Sequence, residues 1–189
     1  MVSTPPTLAD VDLASVFRDG RPFAEIVVHF AHADLVRVVG ELYDAIDEII
    51  AGAEDLAATF VPQDSASDDP EGNGWAVGHV VAHLTAGLEE AAANGVTLAR
   101  GVETADRLRY ETPWETLDTM AKVHQRLAES RRMTLGFLQA WPDEPHLGLT
   151  TVLVPQLGPI NAVGRQLLGI GHGRGHSDQL REIVRQAAA

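Results

Sequence analysis

Eight histidines stand in a chain of 189 residues that contains no cysteine. Four of them form two pairs with i, i+4 spacing, His79 with His83 and His172 with His176. Residues four apart on an α-helix share a face, so each pair presents two imidazoles to one region of space. Neutral imidazole nitrogen is a ligand for borderline divalent metals such as zinc, nickel or iron, and without thiolate it is the main one left. The competing reading is that these are core histidines bonded to backbone or carboxylate groups. One HxxxH pair favours that second reading; two pairs in a cysteine-free chain bring the metal site level with it.

Side chains so placed need helices to carry them, and the apolar periodicity supplies four. Val28, Leu35, Val39, Leu42, Ile46, Ile49 and Leu56 recur at helical spacings and predict a first helix over about Glu25 to Leu56. Val61 to Gly74, dense in Pro, Gly, Ser, Asn and Asp, reads as an exposed acidic loop. A second helix follows from about Trp75 to Ala93, with Val77, Val81, Leu84 and Leu88 as its stripe and Gly95 as its stop. Thr112-Pro113-Trp114-Glu115 has the form of a capping box with proline at the first helical position, and predicts a third helix that Pro142 ends. Leu149 to Val154 is a β-branched run among prolines, extended but too short for a sheet. A last helix over about Pro159 to Ala187 puts His172 and His176 in line with Leu168, Leu180 and Ile183, so that both imidazoles point inward. The expected architecture is an all-α four-helix bundle with long connections, which allow crossovers. It forms one domain over residues 22–189, behind an N-terminal extension of residues 1–21.

Gly169, Gly171, Gly173 and Gly175 alternate through the histidine segment, and within a helix each costs about 1 kcal/mol against alanine. Close packing or a broken helix explains them, or they leave room for a ligand beside a metal whose coordination offsets the poor propensity. Room for a ligand is the preferred expectation. A phosphate-binding GxGxxG loop is excluded, because Arg174 occupies the third glycine position and no strand pattern precedes it.

A net charge of −13 makes the average surface repel phosphate backbones and anionic lipids, and no Lys/Arg stripe offsets it. Neither nucleic acid nor a membrane surface is expected as a partner. The first residues lack a basic stretch followed by an apolar core, and no run approaches the roughly 20 apolar residues that span a bilayer. A cytoplasmic location is the expectation, and the absence of cysteine fits a reducing compartment.

Trp75, followed eight residues on by His83-Leu84, together with His172, His176 and Gln179-Leu-Arg-Glu-Ile183, resembles the two signatures of the DinB-like superfamily of metalloenzymes. The resemblance covers the order of four helices from about Glu25 onward. It implies that His83, His172 and His176 are the three protein ligands of one divalent metal ion, zinc, nickel or iron, with positions left open for water or substrate. Where that family usually has glutamate this chain has His79, which leaves His79 as a fourth ligand, an outer group or a solvent-facing substitution. His29, His32, His124 and His146 are set aside as ordinary core, boundary or surface residues, and Glu90, seven after His83 on the same face, receives no role.

The same resemblance implies a metal-dependent enzyme acting on a small molecule, a transferase or isomerase that uses low-molecular-weight thiols such as bacillithiol or mycothiol; the lowered pKa of water on an open three-histidine site adds a hydrolase to the expectations. The resemblance also implies a homodimer, and a two-fold interface would hide apolar loops such as Leu149 to Val154. The alternative is a non-catalytic, stress-related binding bundle whose metal is structural or vestigial.

Overall fold

The computed structural model describes residues 4–68, 74–103 and 110–189, and among these it is all-helical. Its α-helices are α1 (Leu13–Asp19), α2 (Phe23–Val27), α3 (His32–Ile50), α4 (Leu56–Thr59), α5 (Val77–Ala99), α6 (Met120–Gln139), α7 (Ala162–Gly175) and α8 (Ser177–Ala187). The long helices α3, α5, α6 and α7 form the expected bundle, with neighbours in the cyclic order α3, α6, α5, α7. Consecutive α3 and α5 therefore sit on a diagonal, as do α6 and α7, so the long connections do cross the bundle. Pairings such as Gly95 with Gln166 and Gly87 with His172 make α5 and α7 antiparallel. Among the described residues no helix is long and apolar enough to cross a membrane.

The core forms because each apolar stripe turns inward. Leu35, Val39, Leu42 and Ile46 of α3 meet Val77, Val81, Leu84 and Leu88 of α5, Val123 and Leu127 of α6, and Leu167 and Ile170 of α7, all fully or nearly fully buried. Polar contacts also cross it. The Tyr43 hydroxyl lies 2.8 Å from Ser130 Oγ and 3.0 Å from Thr134 Oγ1, and burial pushes its pKa up against the pull of those two bonds. Tyr43→Phe is expected to cost about 1 kcal/mol, the net value of one such bond, read as a lower denaturant midpoint at unchanged slope.

The described part of the N-terminal stretch, residues 4–21, packs on the bundle. Val11, Leu13 and Val16 enter the core, Leu8 N donates to Glu41 Oε2 at 2.9 Å, and Arg174 Nη1 donates to the Val11 carbonyl at 2.9 Å.

Four helix boundaries differ from the sequence expectation. The first helix divides: residues 28–31 leave the helical path, Asp34 accepts the Ala31 amide at 2.9 Å to open α3, and Gly52, at φ +77°, follows its end. The second runs on through Gly95 to Ala99, because Gly95 packs inside the bundle against the Ala162 carbonyl and the Trp141 ring. Thr112 to Glu115 does not start the third helix. It leads into a single 3-10 turn, Trp114–Thr116, after which Leu117 is buried, and α6 begins at Met120 with Thr119 as its cap and Asp55 Oδ1 accepting the Met120 amide at 2.9 Å. The last helix is interrupted at His176, which joins α7 to α8.

Of the Val61 to Gly74 loop, residues 69–73 lie outside the described residues. The rest is exposed at residues 63–65 and 68, half-buried at 61, 66, 67 and 74 and buried at Pro62, and it carries a 3-10 turn, Ser65–Ser67, capped by Asp64. The Leu149 to Val154 run makes one antiparallel bridge, Thr151 with Ile160, and no sheet.

The glycines of the last helix are explained by packing. A Cβ on Gly169 would stand 2.4 Å from Ala91 Cβ, one on Gly171 2.4 Å from Leu13 Cγ, and one on Gly173 3.2 Å from Leu42 Cδ2. The space expected beside a metal is filled by neighbouring elements at these three positions; only Gly175 has nothing within 4 Å.

Candidate metal centre

His83 sits in the second turn of α5, and His172 and His176 lie at the end of α7 and at its junction with α8. Because α5 and α7 run antiparallel and touch through Gly87 and Gly169, the three rings arrive at one level of the bundle. His83 Nε2 lies 3.1 Å from His172 Nε2, and His176 Nε2 lies 3.4 Å from the same atom. One nitrogen from each ring falls within 4.8 Å of both others, and each residue is half-buried. Nitrogens about 2.0–2.1 Å from a tetrahedral ion stand about 3.3–3.4 Å apart, so this spacing fits three imidazoles around one divalent metal. The group His83, His172 and His176 can therefore hold a metal ion.

The orientation of His176 supports that use. Gln179 Oε1 accepts from His176 Nδ1 at 2.8 Å, and the other end of the same amide donates to the Ala66 carbonyl at 3.1 Å, which settles which end is oxygen. With its hydrogen on Nδ1, His176 turns a lone pair on Nε2 toward the cluster. Gln179→Leu should remove this alignment and weaken zinc binding about 10-fold or more, measured by competition with a chromophoric chelator. On the opposite side, Glu111 Oε1 stands 3.8 Å from His83 Nδ1, within ion-pair range and beyond hydrogen-bond range.

The centre opens into a cavity of about 580 Å3. One wall is aromatic: His79 stacks on Trp114 at 4.8 Å between ring centres, and Trp75 packs against His79 at 4.4 Å and edge-on to His83 at 4.9 Å. Asp68 and Glu111 add carboxylates to the lining. His79 is outside the ligand group. Its Nδ1 donates to the Gly74 carbonyl at 2.9 Å, and its ring forms part of the wall.

No protein-family model, curated protein or solved structure matches the chain.

The remaining histidines are elsewhere. His32 Nε2 donates to the Leu138 carbonyl at 2.8 Å and its ring stacks on Trp141; His124 lies 3.6 Å from Asp47; His29 is exposed; His146 packs on Gly101. Sequence reasoning missed Glu111 and Trp114 as parts of the site. Trp114 was visible only as part of an apparent helix start, and no spacing ties Glu111 to the histidines.

Proposed function

We propose that the protein is a divalent-metal-dependent enzyme of the thiol S-transferase, isomerase or hydrolase type, akin to the DinB-like proteins that its two histidine signatures resemble. The observation that carries this reading is the metal-compatible spacing of the three Nε2 atoms in the lining of an open cavity large enough for a small molecule. Three protein ligands leave coordination positions for water or substrate, the arrangement of a catalytic centre more than of a closed structural one. When bound there, zinc, nickel or iron would supply Lewis acidity that brings the pKa of a coordinated water toward neutrality and takes a coordinated thiol as its thiolate.

The chain's own groups have distinct parts in this scheme. His83, His172 and His176 hold the ion, Gln179 sets the His176 ring, and the Trp75, His79 and Trp114 wall offers an apolar face to a substrate. Glu111, in the cavity lining beside His83, is placed to exchange protons with a bound ligand. The substrate is a small molecule, with a low-molecular-weight thiol as the first candidate because the chain has no thiol of its own. A homodimer covering the exposed Val152 and Leu153 belongs to the same reading and is checked by light scattering.

The test loads the protein with zinc, nickel or iron(II) and incubates it with an electrophile and a panel of small thiols, then with ester and amide substrates. Turnover above the His83→Ala background is the expected result. Turnover with none of them, while metal binds, favours the second reading: a non-catalytic, stress-related bundle with a structural or vestigial site. One observation favours that alternative, since two ring nitrogens 3.1 Å apart also satisfy each other as donor and acceptor without an ion.

A further inference from the structure

His172 has two working sides. Its Nε2 faces His83 and His176, while its Nδ1 is turned toward α5 at Gly87, where an added Cβ would lie 3.1 Å away. Behind the ring lies a second, smaller cavity of about 200 Å3, whose lining includes His172, Gly87, Glu90 and Arg165. Glu90 is one turn beyond Gly87 on α5. Helical side chains lean toward the helix N-terminus, and His172, opposite Gly87, lies in that direction from Glu90.

Glu90 is 7% exposed and Arg165 5%, and Arg165 Nη2 donates to Glu90 Oε1 at 3.4 Å. Burying such a pair costs desolvation that its attraction does not reliably recover, and apolar residues of similar size often serve stability as well or better. A pair in this position therefore calls for a reason besides folding, and its placement beside the outer nitrogen of a candidate ligand supplies one. An imidazole that coordinates through one nitrogen donates its other N–H to a carboxylate, carbonyl or water, which orients the ring and raises its basicity. His176 has Gln179 in that capacity, and His83 has Glu111 nearby.

Resting on the metal-centre reading above, we propose that Glu90, held in place by Arg165, is the positioning residue that accepts the Nδ1–H of His172, directly or across one water in the 200 Å3 cavity.

The decisive variant is the double substitution Glu90→Met with Arg165→Met, which removes both charges together and avoids stranding one in the core. Its metal-free melting temperature should equal or exceed that of the unaltered chain. Its zinc affinity, by chelator competition, should fall about 10–100-fold. In zinc-loaded, 15N-histidine-labelled protein, the His172 Nδ1–H resonance should be downfield and slow to exchange in the unaltered chain, and should lose that protection in the double variant. The His176 resonance, held by Gln179, should stay unchanged in both. If the double variant fails to fold, Glu90→Gln keeps the shape and an acceptor oxygen while removing the charge, and should weaken zinc binding while leaving the resonance protected. Unchanged zinc affinity and an unchanged His172 resonance in the double variant, or unchanged affinity in Glu90→Gln if that is the variant measured, overturn the proposal alone. An unaltered chain that binds no zinc, nickel or iron overturns this proposal and the function it rests on together.

Discussion

His172→Ala is expected to abolish stoichiometric metal binding, a loss among the largest of any single substitution in the chain. His172 is the middle member of the group: its Nε2 lies 3.1 Å from that of His83 and 3.4 Å from that of His176. Four-ligand zinc sites contribute about 10–16 kcal/mol of apparent binding free energy, so one ligand accounts for about 3 kcal/mol, a factor above 100 in affinity. His83→Ala and His176→Ala should lose comparable amounts. His79→Ala should stay within a few-fold of the unaltered chain, because His79 Nδ1 is engaged by the Gly74 carbonyl and the ring serves the cavity wall.

The same difference should appear in thermal melts. Metal at about 100 times its dissociation constant adds about 2.7 kcal/mol to the folded state. For a chain of this size that is a rise of about 5–10 °C. The rise should be present in the unaltered protein and absent in His172→Ala, and elemental analysis of protein purified without a metal-affinity column reads the stoichiometry directly. Equal metal content and equal melting shifts in the unaltered protein and all three ligand variants would remove the metal centre from the molecule's description.

Alanine substitutions within one short glycine segment should move stability in opposite directions. At Gly169 the new Cβ meets Ala91 Cβ at 2.4 Å and the Gly87 carbonyl at 3.4 Å, atoms anchored to the α5 backbone that cannot swing aside. Helix propensity favours alanine by about 1 kcal/mol, yet overpacking costs about 1–3 kcal/mol and a 2.4 Å approach to fixed atoms falls in the upper half of that range, so a net loss of about 1–2 kcal/mol is expected. Forcing α5 from α7 also draws His172 away from His83, and zinc affinity should fall with stability. At Gly175, where nothing lies within 4 Å, the propensity term acts alone and Gly175→Ala should stabilise by up to about 1 kcal/mol. Denaturant titration of both variants, with chelator competition alongside, checks the pair. A Gly169→Ala protein as stable as its parent would show that the two helices do not approach this closely.

The local parts of the site were legible from the chain alone. A spacing of four residues is a property of one helix, so the pairing of His172 with His176, the inward direction of both, and the stripes that bury α3, α5, α6 and α7 follow from neighbours in sequence. The cysteine count likewise confined any metal chemistry to imidazole and carboxylate before any coordinates were known. Thr112 to Glu115 shows the limit of that reasoning. Its residues satisfy the pattern of a helix start, but the stacking of Trp114 on His79 and the burial of Leu117 draw the segment into a cavity wall.

What the sequence determined by itself was an all-α bundle with inward-facing histidine pairs, because periodicity and ligand chemistry act over a few residues. Only the tertiary structure decided which histidines meet. His79 and His83 share a face but stand about 6 Å apart along the helix axis, one turn at 1.5 Å per residue, so only the one level with His172 can join it. That level is set by the antiparallel contact of α5 with α7, where Gly169 closes on Ala91. The meaning of the glycines was hidden for the same reason, since the atoms that occupy their missing side chains come from helices remote in sequence, and distance along the chain carries no record of contact across the core.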